Sequence, residues 1–298
     1  MTTQTPTDTF GTTLQGTAAA SPLDLDRDTV IDAFRRTGYV YITGFAPDTE
    51  AFLAFTARYC TDFRAYVGGA YSRESIGGNK TLMSVTGGKL RFAVPLHGEM
   101  YYLKEHPSVL WFYCATPALK DGETTVADGV RFWRELSSAS RQLFSEQRIK
   151  YIRTYPDGTW QGIYQSDDLE EVARVCAANQ MTFKVGTERQ VITEYVTSAV
   201  VKTPYGEHDA FINNILPVVG QERAGSKASL VRLEDDSPIP DAVLADLVAV
   251  AGRITIDVPW KSGDIAMINN TRAMHGRRSF ADDQRDIYVR LGDAAFAL

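Results

Sequence analysis

Histidine and cysteine are scarce in this 298-residue chain, with four of the first and three of the second. Cys60, Cys114 and Cys176 are scattered without metal-ligand spacing, which excludes a cysteine-held zinc site and a disulfide framework. An odd, sparse set fits free thiols in a reducing compartment, so the expected location is the cytoplasm. No apolar run approaches the length of a membrane span. A net charge of −6 offers no general attraction to nucleic acid or to an anionic membrane. Residues 1–21 are rich in Thr, Ala and Gly and lack the basic and apolar regions of a secretory signal. They read as a flexible tail ahead of a single domain over 22–298. Internal repeats and blocks of like charge are also missing.

What remains is an ordinary globular composition, 44% apolar and 23% charged, long enough to bury one sizeable core. The spacing predicts helices over 26–36, 48–59, 168–178 and 240–253, the last with Pro240 near its first turn. Short apolar strands fit 38–44, 110–115, 124–127, 149–154, 181–185, 191–195, 199–202 and 210–213. Three more, over 254–258, 264–269 and 286–291, close the chain. Many short strands with a few helices imply an α+β, mainly β fold. The expectation is a double-stranded β-helix, or jelly roll, with flanking helices. Such a barrel lets residues far apart in sequence meet inside it.

Two stretches carry the chemistry. One is His97-Gly98-Glu99; the other ends in His275-Gly276-Arg277 and is followed by Arg285. Two imidazoles and one carboxylate form the facial triad of non-heme Fe(II) oxygenases, which leaves metal positions open. In a strand, residues i and i+2 share a face, so His97 and Glu99 can reach one metal from one strand end. His275 then comes from a neighbouring strand. An arginine near the triad can hold a carboxylate through two parallel hydrogen bonds. In a regular strand Arg285 and Arg290 fall on opposite faces, and the apolar Ile287, Val289 and Leu291 share parity with Arg285. That favours Arg285, with Arg290 as the other candidate. Thr124 offers a hydroxyl where a turn enters a strand. Met100, Tyr101, Tyr102, Asn213 and Asn214 are candidate substrate contacts, each equally readable as packing. His106 and His208, in polar surroundings, are assigned to solvent.

Together these residues resemble the TauD/TfdA family of Fe(II)- and 2-oxoglutarate-dependent dioxygenases, the clavaminate synthase-like fold. The stretch 38–45 is similar to the family's early strand, and His97 to Tyr102 to its first iron motif. Gly122-Glu123-Thr124 is similar to the family's Gly-Asp/Glu-Thr, and residues 263–277 followed by Arg285 to its second half. The middle of the chain, at 155–161 and 182–184, resembles a subgroup that includes the syringomycin-cluster hydroxylase. Glu99 departs from the Asp of taurine dioxygenase-like members and matches clavaminate synthase and free-amino-acid hydroxylases. A carboxylate there also departs from the related halogenases, which have a small residue.

The resemblance implies Fe(II) on His97, Glu99 and His275, with 2-oxoglutarate as co-substrate and O2 as oxidant. Arg285 and Thr124 then anchor the distal carboxylate. The implied reaction is hydroxylation of a small molecule, such as an amino acid or a natural-product intermediate, with release of succinate and CO2. Desaturation, epoxidation and ring closure are alternatives on the same centre. The substrate could be free or carrier-bound; the acidic chain slightly favours a free one, and oligomeric state is open. A metal-binding jelly roll without redox chemistry, or a metal-free binding domain, is the rival of another class. Arg285 with Thr124 discriminates, because a non-redox metal site needs neither.

Overall fold

The computed structural model describes residues 9–64, 73–85 and 91–298. Its core is two sheets of largely antiparallel strands, the double-stranded β-helix expected from the strand pattern. In order, the larger sheet runs Thr12–Gln15, Tyr39–Thr43, Ile265–Asn269, Val109–Thr116, Asp286–Ala294, Asn79–Ser84 and Ser75–Ile76, and Cys60–Arg64 also pairs with Asp286–Ala294. In the smaller sheet Ile256–Asp257, Thr124–Asp128, Ala273–Arg277 and Val94–His97 are neighbours in that order. A further four-stranded sheet, Thr182–Val185, Val191–Thr197, Ile149–Tyr155 and Ser229–Leu233, belongs to the middle of the chain.

The larger sheet is buried on both faces, which is why its central strand reads as the unbroken apolar run Val109–Cys114. Leu110, Phe112 and Cys114 point with Ile287, Val289 and Leu291 into the core shared with the smaller sheet. Val109, Trp111 and Tyr113 point the other way, into a second core against Val30, Phe34, Phe52 and Phe55. Those last four sit on the helices Arg27–Thr37 and Thr49–Ala57. Asp26 and Asp48 cap these helices by accepting from the backbone N–H groups of Thr29 and Ala51, both at 2.8 Å.

Several features differ from the pattern-based expectation. The tail is shorter than 1–21: residues 1–8 lie outside the described residues, but Thr12–Gln15 is a strand, paired in parallel with Tyr39–Thr43. Its four residues carry no pattern of their own; the exposed edge of Tyr39–Thr43 supplies the partner. The helices Gly129–Glu135, Ser138–Glu146 and Ile215–Arg223 were not anticipated. They are seven to nine residues long, too short for a 3.6-residue period to stand out. His275 lies, as expected, on a strand, Ala273–Arg277, which has a pairing partner on each side.

Gly276 permits that double pairing. A Cβ there would lie 2.5 Å from the Val94 carbonyl oxygen and 2.8 Å from Thr125 Oγ1. We expect Gly276→Ala to destabilise the fold by about 1–3 kcal/mol, the usual cost of overpacking. Urea unfolding checks this; an unchanged midpoint would mean that the strands have slack.

Candidate metal centre and co-substrate pocket

His97 is the last residue of Val94–His97, and His275 is the middle residue of Ala273–Arg277. The two are direct cross-strand partners, with ring centroids 4.3 Å apart. Glu99 is brought in by a different route from the one expected. The strand ends at His97, so strand alternation does not place the carboxylate; Glu99 lies in the turn that follows, where Met100 has φ +64°. Asn270 holds this turn from the far end of the chain. Its Oδ1 accepts from the Glu99 N–H at 2.9 Å, and its Nδ2 donates to the Glu99 carbonyl at 3.0 Å and to that of Pro107 at 2.7 Å. The result is that one donor atom each from His97, Glu99 and His275 falls within 4.8 Å of the others.

The protonation states suit a cation. His97 Nδ1 lies 2.9 Å from the Pro95 carbonyl, which fixes the proton there and leaves Nε2 as the free lone pair. Burial, then the neighbouring His275, pushes His97 down to about 3, so its imidazole is neutral at ordinary pH. For Glu99 burial works against the charged form. The Arg73 guanidinium, 2.9 Å and 3.1 Å from the two carboxylate oxygens, outweighs it and holds the carboxyl well below the usual range. His275 Nε2 is 3.5 Å from a Glu99 oxygen. Two imidazoles and an ionised carboxylate on one side of a cavity are the donor set that suits iron with positions left open, and the group fits here.

That cavity has a volume of about 530 Å³. Besides the triad it is lined by Thr124, Arg277 and Arg285. Cross-strand register sets Arg277 opposite Thr124. The Thr124 hydroxyl accepts from Trp260 Nε1 at 2.9 Å, so its own proton can go to an anion. Arg285 is 2% exposed, and its Nε donates to the Gly122 carbonyl at 2.6 Å. Gly122, at φ +71°, has no room for a side chain between Phe280 and Arg285. The Arg277 and Arg285 guanidiniums lie 5.1 Å and 5.3 Å from the Phe280 ring centre. Burial pushes both arginines down to about 10, with Arg277 adding to the effect at Arg285. Like charges side by side on a cavity wall favour an anionic guest.

The other expected residues divide. Arg290 turns away from the cavity: its Nη1 donates to the Leu53 carbonyl at 3.1 Å and to Thr56 Oγ1 at 2.6 Å, and its guanidinium lies over Phe63. The cause is strand alternation, since Ile287, Val289 and Leu291 take the inner face. Tyr102 and Asn214 line the cavity, and Met100 lines a smaller neighbouring one of about 200 Å³. Tyr101 and Asn213 line neither. Tyr101 donates to the Asn270 carbonyl at 2.8 Å and stacks on His106, which corrects the assignment of His106 to solvent. The Asn213 side chain bonds the Ala199 carbonyl and the Ile215 N–H. Arg73, Arg153, Trp260, Asn270 and Arg277 were not singled out from sequence. The Asn-Asn pair before His275 and the arginine two residues after it were the available signals.

Asn270→Ala should weaken metal binding by about 10–100-fold, the usual cost of losing a residue that orients a ligand. Competition with a chelating indicator measures this, and unaltered affinity would sink the clamp. A second expectation concerns pH. The unfolded chain protonates His97 near 6.5 and the folded chain near 3, so acidification favours unfolding. Between pH 7 and 5 this residue should cost chelator-treated protein about 2 kcal/mol. Urea unfolding of wild type and His97→Asn would show the difference; parallel pH dependences would count against an imidazole held neutral by the fold.

Comparison with known proteins agrees with this geometry. The family described as "Taurine catabolism dioxygenase TauD, TfdA family" matches residues 2–291. The dapdiamide synthesis protein DdaC of Enterobacter agglomerans is 25% identical over 216 residues, covering 67% of this chain and 65% of that protein. The chain thus spans just under two thirds of DdaC. A clavaminate synthase-like protein of Arabidopsis thaliana is 23% identical over 84% of this chain and 80% of its own length. Among solved structures, a taurine dioxygenase from Burkholderia xenovorans superposes with a TM-score of 0.61 at 16% identity, covering 96% of this chain and 87% of that one. PvcB from Pseudomonas aeruginosa superposes with 0.59 at 16% identity, over 95% and 86%. With the match running almost from end to end, and with the triad and buried arginines in one cavity, the chain belongs to the TauD/TfdA family of iron- and 2-oxoglutarate-dependent dioxygenases.

Proposed function

We propose that this protein hydroxylates an unactivated C–H bond of a small molecule, an amino acid or a natural-product intermediate, while 2-oxoglutarate is converted to succinate and CO2. One oxygen atom of O2 enters succinate and the other enters the product. The observation that carries the reading is one cavity lined by a two-histidine, one-carboxylate triad together with Thr124, Arg277 and Arg285. A non-redox metal site has no need of a buried arginine pair beside the metal ligands.

In this reading His97, Glu99 and His275 hold the iron, which when bound supplies the oxidising power for O2 chemistry. Arg285 and Thr124 take the distal carboxylate of 2-oxoglutarate, and Arg277 adds charge beside them. Asn270 keeps the Glu99 carboxylate aimed at the histidines. Phe112, Val94 and Val218 give the cavity apolar walls that limit water near the reacting centre. Tyr102 and Asn214 are left to orient the substrate. The names of two relatives support a natural-product setting: DdaC is a dapdiamide synthesis protein, and PvcB is described as an oxygenase from an isonitrile synthetic pathway. We read residues 22–298, together with the edge strand Thr12–Gln15, as one domain, because the two sheets share a core. Three buried free cysteines fit the reducing cytoplasm.

The test is anaerobic. Fe(II) and then 2-oxoglutarate should give a weak visible charge-transfer band at ~500–530 nm, as an open facial triad allows. A protein that binds iron without the band would be a non-redox metal protein. His97→Ala and His275→Ala should each lose iron and turnover. Arg285→Ala should raise the 2-oxoglutarate requirement by roughly tenfold or more, consistent with losing a charged hydrogen bond. Arg290→Ala should leave that requirement unchanged; the reverse ranking would move the co-substrate anchor to Arg290.

A further inference from the structure

The metal centre and the co-substrate anchor leave one part of the fold without a task, the sheet built from the middle of the chain. In its strand Ile149–Tyr155, alternation puts Tyr151, Arg153 and Tyr155 on one face. The register of Val191–Thr197 sets Tyr195 opposite Tyr151 and Thr193 opposite Arg153. All five line the second cavity, of about 200 Å³. The turn that carries Glu99 closes it from another side with Met100, Tyr102 and Leu103. The described residues that line it include neither the triad nor Thr124, Arg277 or Arg285. The two cavities are neighbours nonetheless, because Tyr102 and Arg153 line both. The Arg153 guanidinium lies 3.7 Å from the Tyr102 ring centre, so this stacked pair is the threshold between them.

Ring surface dominates this second cavity. Tyr102, Tyr151, Tyr155, Tyr164 and Tyr195 line it, and Tyr155 and Tyr164 stand edge to face at 6.1 Å. Three of the hydroxyls are already engaged. Tyr151 accepts from the Asn214 N–H at 2.7 Å, Tyr155 from Arg153 Nη1 at 3.3 Å and Tyr164 from Cys176 Sγ at 3.7 Å. Met100 and Met181 add thioethers, which favour aromatic neighbours. The charged lining residues do not ask for a charged guest: Arg64 pairs with Asp293, Arg153 is stacked on Tyr102, and Glu105 is exposed to solvent. A cavity of about 150 Å³ with apolar walls holds a benzene ring, so this one has room for a single ring. Protein interiors otherwise pack as densely as organic crystals. Ring-lined space that shares a wall with a reaction centre has the form of a ligand site.

We propose that the second cavity holds an aromatic arm of the substrate, which passes the Tyr102–Arg153 threshold while the reacting carbon stays at the triad. The substrate class is therefore a small molecule with an uncharged aromatic ring set apart from the C–H bond that reacts. This rests on the oxygenase reading for the reacting end. Edge-to-face and offset contacts with the tyrosines supply the specificity, and a substrate with a methyl group in place of the ring forgoes them.

The experiment uses benzyl alcohol, 1-propanol and 4-phenylbutan-1-ol as probes on the anaerobic Fe(II)-loaded protein in saturating 2-oxoglutarate. By calorimetry benzyl alcohol should bind roughly tenfold more tightly than 1-propanol, or better, the usual worth of burying a ring. Val175 lines the second cavity from an exposed position on the helix Leu169–Ala178, so Val175→Trp fills it and should erase that preference. Asn179→Phe, at the end of the same helix, should do likewise and keeps the test open if circular dichroism shows the first variant misfolded. Proton relaxation in the Mn(II)-loaded protein then places the longer probe. Its hydroxymethyl protons should relax faster than its ring protons, and Val175→Trp should abolish that order. Equal binding of benzyl alcohol and 1-propanol, a preference that survives both filling variants, or faster relaxation of the ring protons overturns the proposal. If the visible band fails to form while the ring preference and its loss in Val175→Trp hold, the oxygenase reading falls and the aromatic chamber stands. A band without the ring preference removes the chamber alone.

Discussion

The strand Ala273–Arg277 pairs with a neighbour on each side, and its register with the two decides where the reacting groups fall. Against Val94–His97 the register sets His275 opposite His97; against Thr124–Asp128 it sets Arg277 opposite Thr124. A slip of one residue would turn His275 out of the cavity, because side-chain direction alternates along a strand. The His97–His275 pair and the Thr124–Arg277 pair are therefore fixed by one set of backbone hydrogen bonds. Gly276 is the residue that lets both neighbours come close enough to form them.

The third ligand obeys a different constraint. Glu99 is beyond the strand, in a turn that has no ladder to hold it. The clamp from Asn270 substitutes a side-chain amide for the missing backbone partner, satisfying both the N–H and the carbonyl of Glu99. Asn270 is five residues before His275, at the start of the same segment, so the carboxylate and its partner histidine are positioned by one stretch of chain. Tyr101 adds a bond to the Asn270 carbonyl and ties the turn to the same point.

Charge organises the rest. Among the described residues, the cavity lining carries one carboxylate, that of Glu99, and four guanidiniums. Arg73 meets the charge of Glu99, while Arg277 and Arg285 share one aromatic ring. Buried arginines beside a metal-ligand triad make a pocket suited to anions. A chain with a net charge of −6 can thus still present a locally positive cavity, because local potential and not the overall balance governs what a pocket attracts.

Much of this was legible in the linear sequence. Short alternating and apolar runs gave the jelly roll, because strand periodicity is a local property. The residue types at 97, 99 and 275 gave the metal chemistry, because few donor sets combine two imidazoles with a carboxylate. Parity in 285–291 separated Arg285 from Arg290, since alternate residues of a strand must face opposite ways. The edge strand Thr12–Gln15, the Asn270 clamp, the Trp260 contact on Thr124 and the placing of Arg73 and Arg153 at the cavity were not legible. Each joins residues 26 to 171 positions apart. Sequence by itself determined which groups could do chemistry and which face of each strand they occupy. Tertiary structure alone decided which of them meet, because a contact between distant segments depends on register and packing that no local pattern encodes.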